Sequence, residues 1–205
     1  MFRLAIPIIA IIFLFSVFNA FSKTNTSLYS VDTNSDFIIA QTPELLKELE
    51  GKPIGKQLTV LYGKFEPVLE RSDSLLGPDH NNNGIRDDIE VFIDVLVVSE
   101  PAKKAIRQEA KQFQRILSYD FSKKTTESLS YAIDIGKAQL SSRASMEFLG
   151  INSDDEVDTI RLLIAFTYNT RLRAYAYLAW KRNIQQAYHE LNNTSNNNHP
   201  LKISS

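Results

Sequence analysis

From Asp87 onward, apolar residues return every three or four positions, the spacing that gathers them on one face of an α-helix. Ile89, Phe92, Ile93 and Leu96 form the first such stripe. A second helix opens near Pro101, with Ala102, Ala105, Ile106, Ala110, Phe113, Ile116 and Leu117 on its apolar face and Lys103, Lys104, Arg107, Lys111 and Arg115 away from it. A third is expected from about Thr125 to Phe148, with Leu129, Ala132, Ile133, Leu140, Ala144 and Phe148 facing inward and Gly150 as its stop. Ser153-Asp154-Asp155-Glu156 has the form of a capping box and starts the longest helix, which reaches toward Leu191. Between Ile160 and Trp180 that helix is apolar almost all round, which predicts other helices surrounding it.

The first third of the chain is less periodic. Thr42-Pro43-Glu44 opens a short helix, with threonine as N-cap and Gly51 beyond its end. Gln57-Leu58-Thr59-Val60-Leu61-Tyr62, bounded by Gly55 and Gly63, is the best strand candidate. Polar stretches at 23–41 and 192–205 predict a flexible lead-in and a disordered tail. The expected architecture is mainly α: a helical bundle over 42–191 with a short N-terminal strand region and one EF-hand-like loop.

A chain of 205 residues with 43% hydrophobic and 23% charged residues suits one domain with an ordinary core. Its net charge of −1 carries no basic excess, so no nucleic-acid partner is expected. The absence of cysteine removes disulfides, thiolate metal sites, lipobox lipidation and cysteine nucleophiles. Residues 1–22 have the three parts of a secretory signal peptide: a positive Met1-Phe2-Arg3 end, an apolar run from Leu4 to Phe18, and small residues at Ala20-Phe21-Ser22. Cleavage leaves no transmembrane segment and predicts an exported protein, periplasmic or extracellular. The alternative is an uncleaved inner-membrane anchor, which Pro7 and Asn19 weaken.

One segment carries chemistry. Asp79-His80-Asn81-Asn82-Asn83-Gly84-Ile85-Arg86-Asp87-Asp88-Ile89-Glu90 fits the twelve-residue calcium loop of EF-hands. Calcium is a hard cation that takes six to eight oxygens, and alternate residues of a tightly wound loop point theirs inward. The expected ligands are therefore Asp79, Asn81, Asn83, the Ile85 carbonyl, Asp87 through water, and Glu90 with both carboxylate oxygens. The competing reading is an Asn/Gly-rich turn that only caps the following helix, with Asp87 or Asp88 as N-cap. Arg86 departs from the pattern, because its position normally holds an aliphatic residue that pairs with a second hand. Gly77 and Pro78 prevent a regular helix from entering the loop, and the chain has no second such loop. With formal charge only on Asp79, Asp87 and Glu90, affinity should be weak, about 10⁻⁴ to 10⁻³ M as in extracellular modules. A structural role for the ion follows more naturally than a sensor role.

The segment from Leu76 to Glu90 resembles a family of uncharacterised secreted proteins of Gram-negative bacteria, which carry a single such loop before a helix. Asn169-Thr170-x-x-Arg173-x-x-Ala176-Tyr177 resembles a second segment shared with that family. The resemblance implies export, a helical fold and a calcium-type loop, and it brings no activity with it.

Other chemistry is weakly signalled. His80, His189 and His199 are scattered, and no serine lies in a Gly-x-Ser-x-Gly elbow. Asp154, Asp155, Glu156 and Asp158 suit a solvated helix start better than a carboxylate pair for hydrolysis. The basic stripe on the second helix could meet an acidic surface, and Phe166, Tyr168, Tyr175, Tyr177, Trp180 and Tyr188, with Arg171 and Arg173 beside them, could line a groove. Three functions stay open in that order: a non-catalytic protein with structural calcium, an envelope or host-surface interaction factor, and a hydrolase with structural calcium.

Overall fold

The computed structural model describes residues 29–31 and 37–197. The expected signal peptide and part of the lead-in and tail lie outside them. Two three-residue strands, β1 (Tyr29–Val31) and β2 (Phe37–Ile39), pair antiparallel with Tyr29 opposite Ile39. Seven α-helices follow: α1 (Pro43–Leu49), α2 (Ile54–Phe65), α3 (Asp87–Asp94), α4 (Glu100–Leu117), α5 (Thr126–Phe148), α6 (Ser153–Thr167) and α7 (Arg171–Asn197). The protein is mainly α, as the periodicity predicts, with a short strand pair at its N-terminal side. Among the described residues, no helix is long and apolar enough to cross a membrane.

The strand expected over Gln57–Tyr62 is instead the middle of α2. Ile54, Leu58, Leu61 and Phe65 lie on one helical face and are all buried, so tertiary packing overrides the β-branched and aromatic residues between them. Gln57 is also buried, and its amide both donates to the carbonyls of Lys52 and Val97 and accepts from the Val97 amide. The strands fall within the region expected to be a flexible lead-in, where Ile39 joins the core.

The helix starts follow local capping chemistry. Thr42 accepts from the Leu45 amide, Ser99 from Ala102, and Thr125 and Ser128 form a reciprocal capping box. At α6 the cap is Asn152, one residue before the expected Ser153. Asp155 caps a different helix: its carboxylate accepts from the amides of Ile54 (2.9 Å) and Gly55 (2.6 Å), orphan donors at the start of α2.

The expected single helix from Ser153 is broken at Tyr168, whose backbone leaves the α region. Thr170 then caps α7 by accepting from the Arg173 amide. The apolar period continues across the break because both helices face the same core. Phe92 packs on Phe166 at 4.8 Å between ring centres, and Tyr168 stacks on Tyr177 at 4.3 Å. Helix α2 lies on α6, α4 on α5, α5 on α7, and the hairpin meets α3, so one hydrophobic cluster joins Ile39 to Ile184.

On α5 the inward face differs from the expected one. Ser128, Ala132, Ile135, Gly136, Gln139, Ser142 and Met146 are buried, whereas Leu140 is 60% and Phe148 92% exposed. A face carrying two serines, a glutamine and a glycine is invisible to a hydrophobic pattern, yet Ser142 and Ser128 find partners there in Glu109 and Asn183. At the C-terminal end, α7 continues to Asn197, six residues into the expected disordered tail.

Candidate metal centre

Between the short 3₁₀ turn Glu66–Val68 and α3 the chain runs through residues 69–86 without regular secondary structure. The loop's curvature is set by hydrogen bonds that its own sequence supplies. The Asp79 carboxylate accepts from the amides of Asn83 (3.1 Å) and Gly84 (2.9 Å), wrapping the turn around it. Asn81 and Asn83 each accept, through Oδ1, from the amide two residues on. Asn82 and Gly84 adopt positive φ of 56° and 86°, conformations that asparagine and glycine take most readily. Gly84 also faces α4 closely: a Cβ there would lie 3.0 Å from Lys111 Cε. The Asp87 amide donates to the Pro78 carbonyl at 3.0 Å and closes the base of the loop.

Four of the five expected side-chain ligands come together. Glu90, in the first turn of α3, receives Nδ2 of Asn81 on one oxygen (2.8 Å) and Nδ2 of Asn83 on the other (2.5 Å), while Asp79 anchors the same turn. Asp87 is held by His80 instead: it accepts from the His80 amide and lies 2.5 Å from the His80 ring Nδ1. Ile85 is 4% exposed and sends its side chain into the core. It thereby takes the anchoring role of the aliphatic residue expected one position later.

Among the described residues, no group of three or more His, Cys, Asp and Glu side chains could hold a metal ion. The loop's donors are instead two carboxylates and two amides, all able to offer oxygen. That set fits a hard cation such as calcium and does not fit zinc. Asn81 and Asn83 each keep Oδ1 on a backbone amide, and an amide oxygen so bonded retains a second lone pair for a cation.

The residue missed by sequence reasoning is Arg86. It is fully buried, and its guanidinium grips Asp88 through Nε (2.5 Å) and Nη2 (3.0 Å). The same group reaches the carbonyls of Phe166 (2.9 Å) and Thr167 (3.4 Å) at the end of α6. Arg173 is buried beside it and donates to the carbonyls of Glu70, Ser74 and Leu75, to Asn169 Oδ1 and to the Glu70 carboxylate. Burial pulls the Arg173 guanidinium below its ordinary value, against the Glu70 carboxylate. Burial also raises the Glu70 carboxyl, but hydrogen bonds from Ser72 and Arg173 outweigh it and leave that group below the usual range. The signal for this network was present in the second resembling segment, Asn169 to Tyr177, but nothing in the sequence says that it meets the first.

The other candidates disperse. Lys103 donates to the Asp94 carbonyl, Arg107 pairs with Asp94, and Arg115 pairs with Asp134, so part of the basic stripe is matched within the chain. Phe166, Tyr168 and Trp180 are core residues, and only Tyr175 and Tyr188 of the aromatic set are strongly exposed. Asp158 pairs with Lys56 and Arg161. No family model, no curated protein and no solved structure matches the chain.

Proposed function

We propose that this chain is an exported, non-catalytic protein whose loop Asp79–Glu90 holds one structural calcium ion. The observation that carries the reading is the convergence of Asp79, Asn81, Asn83 and Glu90 in a turn already wound by the Asp79 carboxylate. In this reading the ion staples the irregular segment 69–86 to α3 and hence to the bundle. Asp79 and Glu90 supply charge, and Asn81 and Asn83 supply neutral oxygens. The Asp87 carboxylate belongs to His80 and contributes through that contact or through water. A weak site of this composition suits a compartment with millimolar calcium, in agreement with the N-terminal signal sequence. The alternative of an acidic-surface partner is weakened by the ion pairs along the basic stripe.

The test is thermal unfolding of residues 23–205 in millimolar calcium and in chelator, beside Glu90→Gln. A ligand bound only by the folded state adds RT ln(1 + [L]/Kd), about 1.4 kcal/mol at tenfold excess over Kd. In a domain of this size that raises the midpoint by about 3–6 °C. The expected result is a calcium-dependent rise that Glu90→Gln abolishes. Equal midpoints with calcium and chelator, and no heat in a calorimetric titration, would reduce the loop to a helix-capping turn.

A further inference from the structure

A paired EF-hand is steadied by its partner hand, and the chain has only this one loop. What holds it instead is a set of buried side chains drawn from far along the sequence. The position that normally pairs with a second hand is Arg86, and its guanidinium lies against the last carbonyls of α6, where unpaired oxygens and the helix dipole favour a cation. Asp88, held by Arg86 on both oxygens, also accepts from the Glu70 amide at 2.8 Å. That bond ties the start of the incoming segment to the helix leaving the loop. Arg173 takes three carbonyls of the same segment, those of Glu70 (2.9 Å), Ser74 (2.8 Å) and Leu75 (3.1 Å). Asn169 adds its own bond to the Glu70 carbonyl at 2.8 Å. Gly77, with φ of 73°, lies so close to Arg86 that a Cβ would overlap its Cδ. The incoming segment therefore passes Arg86 with no room for a side chain at position 77.

We infer that Arg86, Arg173 and Asn169 are positioning residues for the loop. They replace the missing second hand, so the α6–α7 joint sets the loop's affinity for a divalent cation. The inference rests on the calcium reading given above. Its physical basis is preorganisation: a cation gains most from ligands held in place before it arrives, and residues behind the ligands do the holding. None of the three touches the ligand oxygens, so their effect on affinity runs through the incoming segment and through Asp88.

Two variants test this, Asn169→Ala and Arg173→Lys, with Met146→Ala as a buried-core control on α5, outside the clamp. Each is titrated calorimetrically with calcium chloride after circular dichroism shows native helix content. The expected outcome is a several-fold affinity loss in Asn169→Ala and a larger one in Arg173→Lys, with about tenfold, the low end of the loss for a partner bonded directly to a metal ligand, as the upper bound. Met146→Ala should lose stability and keep its affinity. Wild-type affinity in both joint variants would overturn the inference. Where Arg173→Lys does not fold, Asn169→Ala decides alone. A wild type that takes up no calcium would refute the calcium reading by itself. Hydrogen exchange in chelator then judges the clamp: faster exchange at the Asn83 and Gly84 amides in Asn169→Ala supports it, and equal rates sink it.

Discussion

Glu109 shows how one residue can set a pH dependence for the whole protein. Its side chain is fully buried between α4 and α5, accepting from the Ser142 hydroxyl, with Arg143 at 3.5 Å as its cation and Glu156 as a nearby like charge. Burial pushes its carboxyl above the ordinary range, and Ser142 and Arg143 only partly offset that. The folded state therefore binds the proton more tightly than the unfolded chain does. This term stabilises fully below the unfolded value, about 4.3 for glutamate, and is lost as pH rises through the raised folded value. Glu109→Gln keeps an acceptor for Ser142 and removes the charge. Its melting point should exceed that of the wild type at pH 8, with the gap shrinking toward pH 5. A gap that is absent or widens on acidification would show that Arg143 fully compensates the buried charge. Glu70 runs the other way, since its lowered value gives stability that is lost on acidification. The asparagines and glycine of the loop act at the same scale. Asp79, Asn83 and Gly84 were legible in the sequence because they bond within five residues of one another.

At the scale of elements, the crossing of α2 and α6 is set by a single missing methyl group. A Cβ on Gly55 would sit 2.5 Å from Asp158 Cβ and 3.1 Å from the Thr159 backbone nitrogen. At the same contact Asp155 caps α2, so the two helices are joined by close approach and by a shared terminus. Gly55→Ala, although favourable for an isolated helix, should destabilise the protein by about 1–3 kcal/mol through overpacking. Urea unfolding checks it, and a neutral or stabilising effect would mean that the crossing is looser than it looks. Helix existence was legible wherever an apolar period ran long, as in α4. The inward face of α5 was not, because Ser142, Gln139 and Gly136 are buried there while Leu140 and Phe148 are exposed.

For the molecule as a whole, one hydrophobic cluster reaches from β2 to α7, so the N-terminal third and the bundle should unfold together. The sole tryptophan, Trp180, is 6% exposed on α7, far along the chain from α2 and α3. Its fluorescence and the far-ultraviolet circular dichroism should give coincident urea transitions. An early dichroism phase with unchanged fluorescence would show that residues 37–94 form a separate cooperative unit. The buried guanidiniums bind the two regions further. Arg173→Ala takes the donor from the part-exposed Glu70 carboxylate and from the Ser74 and Leu75 carbonyls, so it should destabilise by about 3 kcal/mol, the low end for breaking a fully buried pair.

The sequence by itself determined the helical class, most helix starts and the winding of the Asp79–Glu90 loop. Each rests on interactions between residues a few positions apart, where spacing fixes geometry. Tertiary structure alone decided that Gln57–Tyr62 is helix, that the chain breaks at Tyr168, and that Asp87 turns to His80. It alone brought Arg86 to Phe166 and Arg173 to Glu70 across 80 and 103 positions. A buried guanidinium is marked by its partners, and partners that distant leave no periodicity to read.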